Sequence, residues 1–454
     1  MSALLICLLL GGDLVAAEKA LADNKPEEAI ELLGDLADAD DADVRAQLVL
    51  GRAYLRLREY EAAVDPLLRA AERKPDDKQL MRDAAWACWG ASANAGSFQQ
   101  AYLEDALRYA RKSDNAKLVA DLLYELQRWE EALAAYDKVE ETEANRLFLK
   151  TRAAYCLAAL ERADEARVAF GAALDEALRR NDLRAGYELA FRGKQQGRYM
   201  AALDKRIADK PEDVSLRLFR GYAREAARLW KVAVEDLRVV YKLAPAHADG
   251  RRRLARSLVM LGTKEQREEP LVEAERLARK ELADFPGEPM SWATMRWIAG
   301  WRWANRDIPR AYGVLRDLQK MDPADREVVL NFGAMARRLG KYKEAEAAFL
   351  QYLEIDAEDP DILNDYGIVK DGMGRRAEAI ALWEKVLSLE EGNLNSLENL
   401  FTKAWEDGDR AAIERYLKRG TEEAMRTNDE GLQRRWRWFR DRLAWAPSGF
   451  GHER

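Results

Sequence analysis

Histidine is almost missing from this chain: His247 and His452 are the two in 454 residues. A Ser/His or Cys/His dyad therefore has little material, and an imidazole-based zinc site is equally short of ligands. Cysteine is scarce as well, with Cys7, Cys88 and Cys156 set at no metal-ligand spacing. Cys88 and Cys156 fall in helical patterns, where a small thiol packs like any hydrophobe. No apolar run reaches the roughly 18 residues that a membrane-spanning helix needs. A phosphate-cradling loop is absent too, since Gly262-Thr263-Lys264 lacks the earlier glycine of that motif. The net charge of −7 is small for this length and gives no bulk field for DNA or RNA. Carboxylates abound, but Glu130-Glu131 and Glu344 sit at helix starts, where they favour the helix dipole rather than acid–base chemistry. These absences leave no candidate catalytic residue, no metal ligand and no cofactor.

What the chain has is helix-forming material. Charged residues make up 34% and proline only 12 positions, with Ala, Leu, Glu, Arg and Lys dominant. That mixture suits amphipathic helices with one stripe to bury and one face to solvate. The N-terminus differs: Leu4–Leu10 is apolar, Gly11-Gly12 follows, and Val15-Ala16-Ala17 resembles a signal-peptidase site, though no Lys or Arg precedes the run. Residues 1–17 read as a signal peptide, which makes the protein exported or periplasmic. The alternative is an apolar cap on the first helix pair of a cytoplasmic protein.

Self-comparison reveals a period of 34 residues. Ala29 and Ala63 are one period apart, as are Ala132 and Ala166, and Ala311, Ala345 and Ala379 continue the step. Twelve residues before an alanine stands a small residue: Gly51, Ala120, Ala154, Gly221, Ala299, Gly333 or Gly367. Three before it stands Tyr60, Trp129, Tyr199, Trp230 or Tyr342, and twelve after it Pro75, Pro245, Pro286 or Pro323. Small residues let paired helices approach, Gly340 and Gly374 suit a left-handed turn, and proline stops the second helix.

The segment Arg326–Asp359, with Leu330, Phe332-Gly333, Leu339-Gly340, Tyr342, Ala345, Phe349 and Leu353, resembles the tetratricopeptide repeat. The next unit repeats the pattern with Tyr366-Gly367, Gly374, Ala379 and Trp383. The resemblance covers nearly the whole chain and implies an all-α, right-handed superhelical solenoid of about 12 helix hairpins. Their centres lie near 29, 63, 106, 132, 166, 202, 233, 274, 311, 345, 379 and 412. The expected segments are repeats over 18–112, 113–246 and 247–393, then a degenerate repeat and capping helix over 394–454. Two irregularities are expected: a loop insertion near 90–100, and a lengthened turn between Gly262 and Leu271.

In that family the groove is lined by the second, fifth, ninth, twelfth and thirteenth positions of each first helix. Carried over, the resemblance implies Arg52, Arg56, Arg82, Trp86, Trp89, Tyr124, Arg252, Arg256, Arg296, Trp303, Arg337 and Arg338, with Tyr155, Phe191 and Tyr222 between them. These read either as a groove for an extended, acidic peptide or as packing between neighbouring first helices. The family's carboxylate clamp, Lys at the fifth and Asn at the ninth position, finds no match at Leu48/Arg52, Arg82/Trp86 or Lys117/Asp121. Trp292, Trp297, Trp301 and Trp303 share one helix and are either a packing cluster or an exposed anchor. The basic stretch Gln433–Arg442, with the apolar stripe Leu432, Trp436, Phe439, Leu443, reads as a cap, or else as a helix that binds an anionic membrane surface or nucleic acid. The expected function is a non-enzymatic scaffold holding a protein or peptide partner. Alternatives are an exported envelope-assembly factor and a nucleic-acid binder using the arginine stripe. The oligomeric state is left open.

Overall fold

The computed structural model describes residues 3–37 and 43–445, with side chains over 13–33 and 43–443. The side chains of Leu4–Leu10 and Cys7, most of the acidic stretch Asp38–Asp43, and His452 lie outside the described residues. All regular structure among the described residues is helical. The chain divides into two compact units, Met1–Pro211 and Glu212–Arg454.

The first unit stacks six hairpins. They are α1 (Ala3–Ala22) with α2 (Pro26–Ala37), α3 (Val44–Leu57) with α4 (Tyr60–Arg73), and α5 (Lys78–Ser92) with α6 (Gln99–Lys112). Then come α7 (Ala116–Glu125) with α8 (Trp129–Tyr136), α9 (Arg146–Ala159) with α10 (Ala163–Arg179), and α11 (Leu183–Arg192) with α12 (Gln196–Asp209). The second unit opens with α13 (Val214–Ala226) and α14 (Trp230–Leu243), α15 (Ala248–Glu265) and α16 (Glu269–Asp284), and α17 (Pro289–Ala304) and α18 (Ile308–Met321). It continues with α19 (Arg326–Arg338) and α20 (Tyr342–Leu353), α21 (Pro360–Gly372) and α22 (Arg376–Leu389), α23 (Leu394–Asp407) and α24 (Arg410–Arg426), and closes on α25 (Glu430–Trp445). Each unit is an all-α solenoid. Every repeat alanine falls in the second helix of its pair, and all but Ala202 and Ala412 are buried.

The small residues work as steric keys. A Cβ on Gly333 would stand 2.1 Å from Phe349, and one on Gly367 2.4 Å from Trp383. Both large side chains come from the facing helix and are fully buried. The first helices start with a side-chain cap: Asp77, Asn115, Asp213, Asp325 and Asn393 each accept from an amide in the first turn. Such a cap stabilises a helix by about 1 kcal/mol. His247 serves in the same way at α15, its Nδ1 accepting from Gly250 N at 3.0 Å.

Each hairpin turns through one residue with positive φ. Gly96, Gly340, Gly374 and Gly408 fill four of these positions, but Asn24, Arg58, Gln127, Glu161, Lys194, Arg228, Gln266 and Arg306 fill the rest. A side chain there costs about 1–2 kcal/mol. The turn geometry overrides that cost because an amide reaching back five residues closes the first helix, as from Arg128 to Leu123 O at 2.9 Å and Lys341 to Ala336 O at 2.8 Å.

Two irregular places are more helical than the sequence suggests. Gly90–Ser92 belong to α5, and one 3-10 turn over Gly96–Phe98 leads into α6. Gly90 stays in the helix because its missing Cβ makes room for the Tyr60 ring, 2.2 Å from where that atom would be. Likewise α15 runs on through Gly262, Thr263 and Lys264 to Glu265, and Pro270 sits in the first turn of α16, where it has no amide to lose. The segment expected to be degenerate forms a full pair, α23 and α24. On it α25 packs Trp436, which is 1% exposed, with Leu432, Phe439 and Leu443 beside it. At the other end Leu14, Ala17, Ala20 and Leu21 of α1 are buried with Ala29, Leu33 and Leu50. No helix among the described residues is long and apolar enough to cross a membrane.

Candidate functional site

Odd-numbered helices also touch the next odd helix: α1 with α3 and α3 with α5 in the first unit, α15 with α17, α19 with α21 and α21 with α23 in the second. They form the layer in which successive hairpins approach each other directly. Contact between α17 and α19 is sparse, as it is between α5 and α7 and between α13 and α15, and a cleft of about 1050 Å³ opens along α17.

Helix α17 begins at Pro289, with the Glu288 carboxylate accepting from Ser291 N at 2.7 Å. One face carries Met295, Ile298 and Ala299 into the core. Arg302 lies on that buried side, 5% exposed, with its guanidinium 2.7 Å from the Glu275 carboxylate on α16. An unpaired charge there would be costly, so the pair fixes how α17 sits on α16. The opposite face is the cleft. Ala293 and Gly300 are exposed and form its low floor, and a Cβ on Gly300 would meet nothing within 4 Å. Trp292, Trp297 and Trp301 rise beside them, with Pro286, Gly287 and Pro289 at one end, Met321 and Asp322 along one side, and Thr263 and Glu327 completing the rim.

The polar groups of the cleft are mostly engaged. Trp292 Nε1 donates to Asp325 at 2.9 Å and Trp297 Nε1 to Thr263 Oγ1 at 3.3 Å. Arg296 pairs with Glu327 and stands 3.7 Å from Asp325. Trp301 Nε1 is buried and has no hydrogen-bond partner among the described residues. A buried donor left in this state costs about 1–3 kcal/mol. Trp297 is 52% exposed. None of the four α17 tryptophans pairs with another ring among the described residues; Trp303, 39% exposed, instead lies 5.9 Å under the Arg338 guanidinium. The α17 tryptophans are thus divided: Trp292 and Trp301 half-buried, Trp297 and Trp303 exposed.

The residues expected to line a groove are scattered over both units, and Arg296 alone of them borders this cleft. Arg52 is held 2.7 Å from Asp83, Arg56 donates to Leu21 O and Arg82 to Gln79. Trp86 and Trp89 stack on each other at 4.9 Å. Tyr124 is half-buried against Trp129 and under Arg152, and Tyr155 meets Phe170 edge-on. Tyr222 is buried and donates to Asp249, while Phe191 is exposed. Arg252 lies 3.6 Å from both Glu281 and Glu288. Arg337 is half-buried, Arg338 exposed, and Arg256 exposed with no polar partner among the described residues. Of these eight arginines, Arg52, Arg252 and Arg296 stand against carboxylates from neighbouring helices.

The family register passed over Ala293, Trp297, Gly300, Trp301 and Thr263. One signal was legible: Ala293, Trp297, Gly300 and Trp301 share one face, and α17 has a second apolar face that already suffices for the core. Thr263 was hidden because the extra turn of α15 read as loop. The two described cysteines offer no nucleophile, since burial pushes the Cys88 thiol up to about 12 and that of Cys156 to about 11. No group of three or more His, Cys, Asp or Glu side chains is placed to hold a metal among the described residues.

A family profile described as tetratricopeptide repeat matches residues 6–78 and 302–360. No curated protein matches the chain. Among solved structures, YrrB, described as a TPR protein with an unusual peptide-binding site, is 17% identical, the match covering 44% of this chain and 97% of that one at a TM-score of 0.33. MamA matches at 19% identity over 36% of this chain and 95% of that one, with a TM-score of 0.31. The MamA structure from Desulfovibrio magneticus RS-1 matches at 16% over 39% and 98%, with a TM-score of 0.32. The profile match places tetratricopeptide repeats at residues 6–78 and 302–360, and twelve helix pairs registered on the repeat alanines carry the same kind of hairpin through both units.

Proposed function

We propose that the chain is a non-enzymatic scaffold that holds a protein or peptide partner in the tryptophan-walled cleft along α17. The observation that carries this reading is a largely apolar cleft left open on a helix whose core-facing side is already complete. Exposed tryptophan is costly to leave in water and is the residue type most enriched at binding hot spots. Arg52, Arg252 and Arg296 are paired with carboxylates, which lowers the number of free cations the odd-helix face could offer to phosphates.

Affinity capture from source-cell lysate tests the proposal, with wild type run beside a Trp297→Ala, Ala293→Arg variant. Both positions are exposed, so the variant keeps its fold. A partner recovered by wild type and lost by the variant supports the cleft; equal recovery by both contradicts it. Export is a separate proposal, tested by the N-terminal residue of protein isolated from its source cells. A chain beginning after Ala17 supports a cleaved leader, whereas one retaining Leu14 and Ala17 contradicts it.

A further inference from the structure

Resting on the cleft as the binding site, we propose that its occupant is a proline-rich, positively charged peptide segment in the extended polyproline conformation. Three features of the cleft point to this chemistry. The first is shape. Flat indoles stand beside a floor at Ala293 and Gly300 that has almost no side chain, and this leaves slots for pyrrolidine rings. From Pro289 to Trp301 the helix rises about 18 Å at 1.5 Å per residue. A polyproline helix advancing 3.1 Å per residue would cover that span with about six residues.

The second is hydrogen-bond character. Between its walls the donors a ligand can reach are the weakly held Trp297 indole and the Arg296 guanidinium, which Glu327 already shares, while the Trp301 indole NH is buried. A β-strand or an ordinary loop would bring amide protons needing acceptors, whereas proline brings carbonyls and no amide proton. Aromatic-lined grooves recognise polyproline segments on this principle.

The third is charge. Asp322 and Glu327 line the cleft against the single guanidinium of Arg296, and Asp325 adds another carboxylate at its edge. One cation against two lining carboxylates leaves a negative rim, which complements an arginine or lysine flanking the prolines and repels an acidic ligand. A bare quaternary ammonium could satisfy the rings and the charge but would leave most of the cleft's length empty.

Isothermal titration of the full chain with an arginine-ended polyproline peptide tests the assignment. Its controls are the same peptide with alanine for proline, a glutamate-ended polyproline, and tetramethylammonium chloride. Gly300→Leu fills the floor at an exposed helical position without touching the core. The expected result is binding of the arginine-ended polyproline by wild type, weakened by about tenfold or more with the glutamate end and again in Gly300→Leu. Equal binding of the alanine peptide, or full competition by tetramethylammonium, would overturn the proline assignment. No binding of the polyproline peptide would overturn it too. A random-peptide array read with both proteins separates that failure from the failure of the cleft. Peptides of another class held by wild type alone leave the cleft standing, and none held sinks both.

Discussion

Helices α5 and α17 are both first helices rich in tryptophan, and they use it in opposite ways. On α5, Trp86 and Trp89 are stacked at 4.9 Å with planes 22° apart, and the adjacent Gly90 is filled by the Tyr60 ring. On α17 the tryptophans find no ring partner among the described residues, and the adjacent Gly300 has nothing within 4 Å. The same residue types therefore give a filled glycine notch in one place and an empty one in the other, although Trp86 is itself 46% exposed. The difference lies in the neighbours. The chain before α5 sends Tyr60 across, whereas no side chain reaches Gly300 on α17, and α19 meets that helix through Trp292 with Asp325 and Arg296 with Glu327. Composition alone marks both helices as aromatic; only the facing side chains decide which of them can receive a ligand.

Substitutions at these positions sharpen the contrast. The largest effect is expected from Gly90→Leu, which drives a side chain into Tyr60 and should lower unfolding free energy by about 1–3 kcal/mol in a denaturant titration. Trp86→Ala breaks the stacked pair and should cost about 0.5–1.5 kcal/mol by the same measurement. Gly300→Ala reverses the sign: in mid-helix over empty space it should stabilise by about 0.5–1 kcal/mol, seen as a raised melting temperature. Trp297→Ala should change stability by less than about 0.5 kcal/mol while removing binding, because the side chain is more than half exposed. If Gly300→Ala destabilised as Gly90→Leu does, the open floor would be wrong and the comparison would collapse.

A smaller effect concerns pH. Hydrogen bonds from Arg179 and Arg180 hold the Glu176 carboxyl down at about 2. A depressed carboxyl contributes stability that is complete above its unfolded value near 4.3 and is lost as pH falls towards 2. Glu176→Gln should therefore flatten the stability profile of the first unit below about pH 4 and leave that part of its slope unchanged above it.

The fold was legible because the hairpin has few solutions. A small residue such as Gly333 and a large one such as Phe349 sixteen residues later report one helix crossing, and the period repeats it. Turn chemistry was legible only where glycine marked it, at Gly340 and Gly374. Arg58, Gln127 and Arg306 take the same left-handed conformation because the closing amide compels it, and nothing in an arginine or glutamine announces that. The site was less legible still. A register of first-helix positions names residues by their place on their own helix, and it selected Arg52 and Arg252 without seeing Asp83 and Glu281, which neutralise them from other helices. Trp297 was named only as packing or an exposed anchor, and Gly300 escaped, because exposure is decided by which side chains face α17, and no local pattern encodes that.

The most direct test of the account compares peptide capture by two variants of equal helicity, Trp297→Ala with Gly300→Leu on α17, and Trp86→Ala on α5. Dissociation constants would be measured for the tightest peptide from the array. The account predicts that the α17 variant weakens binding by about tenfold or more while the α5 variant stays within about twofold of wild type. Loss of binding in the α5 variant with the α17 variant unaffected would contradict it.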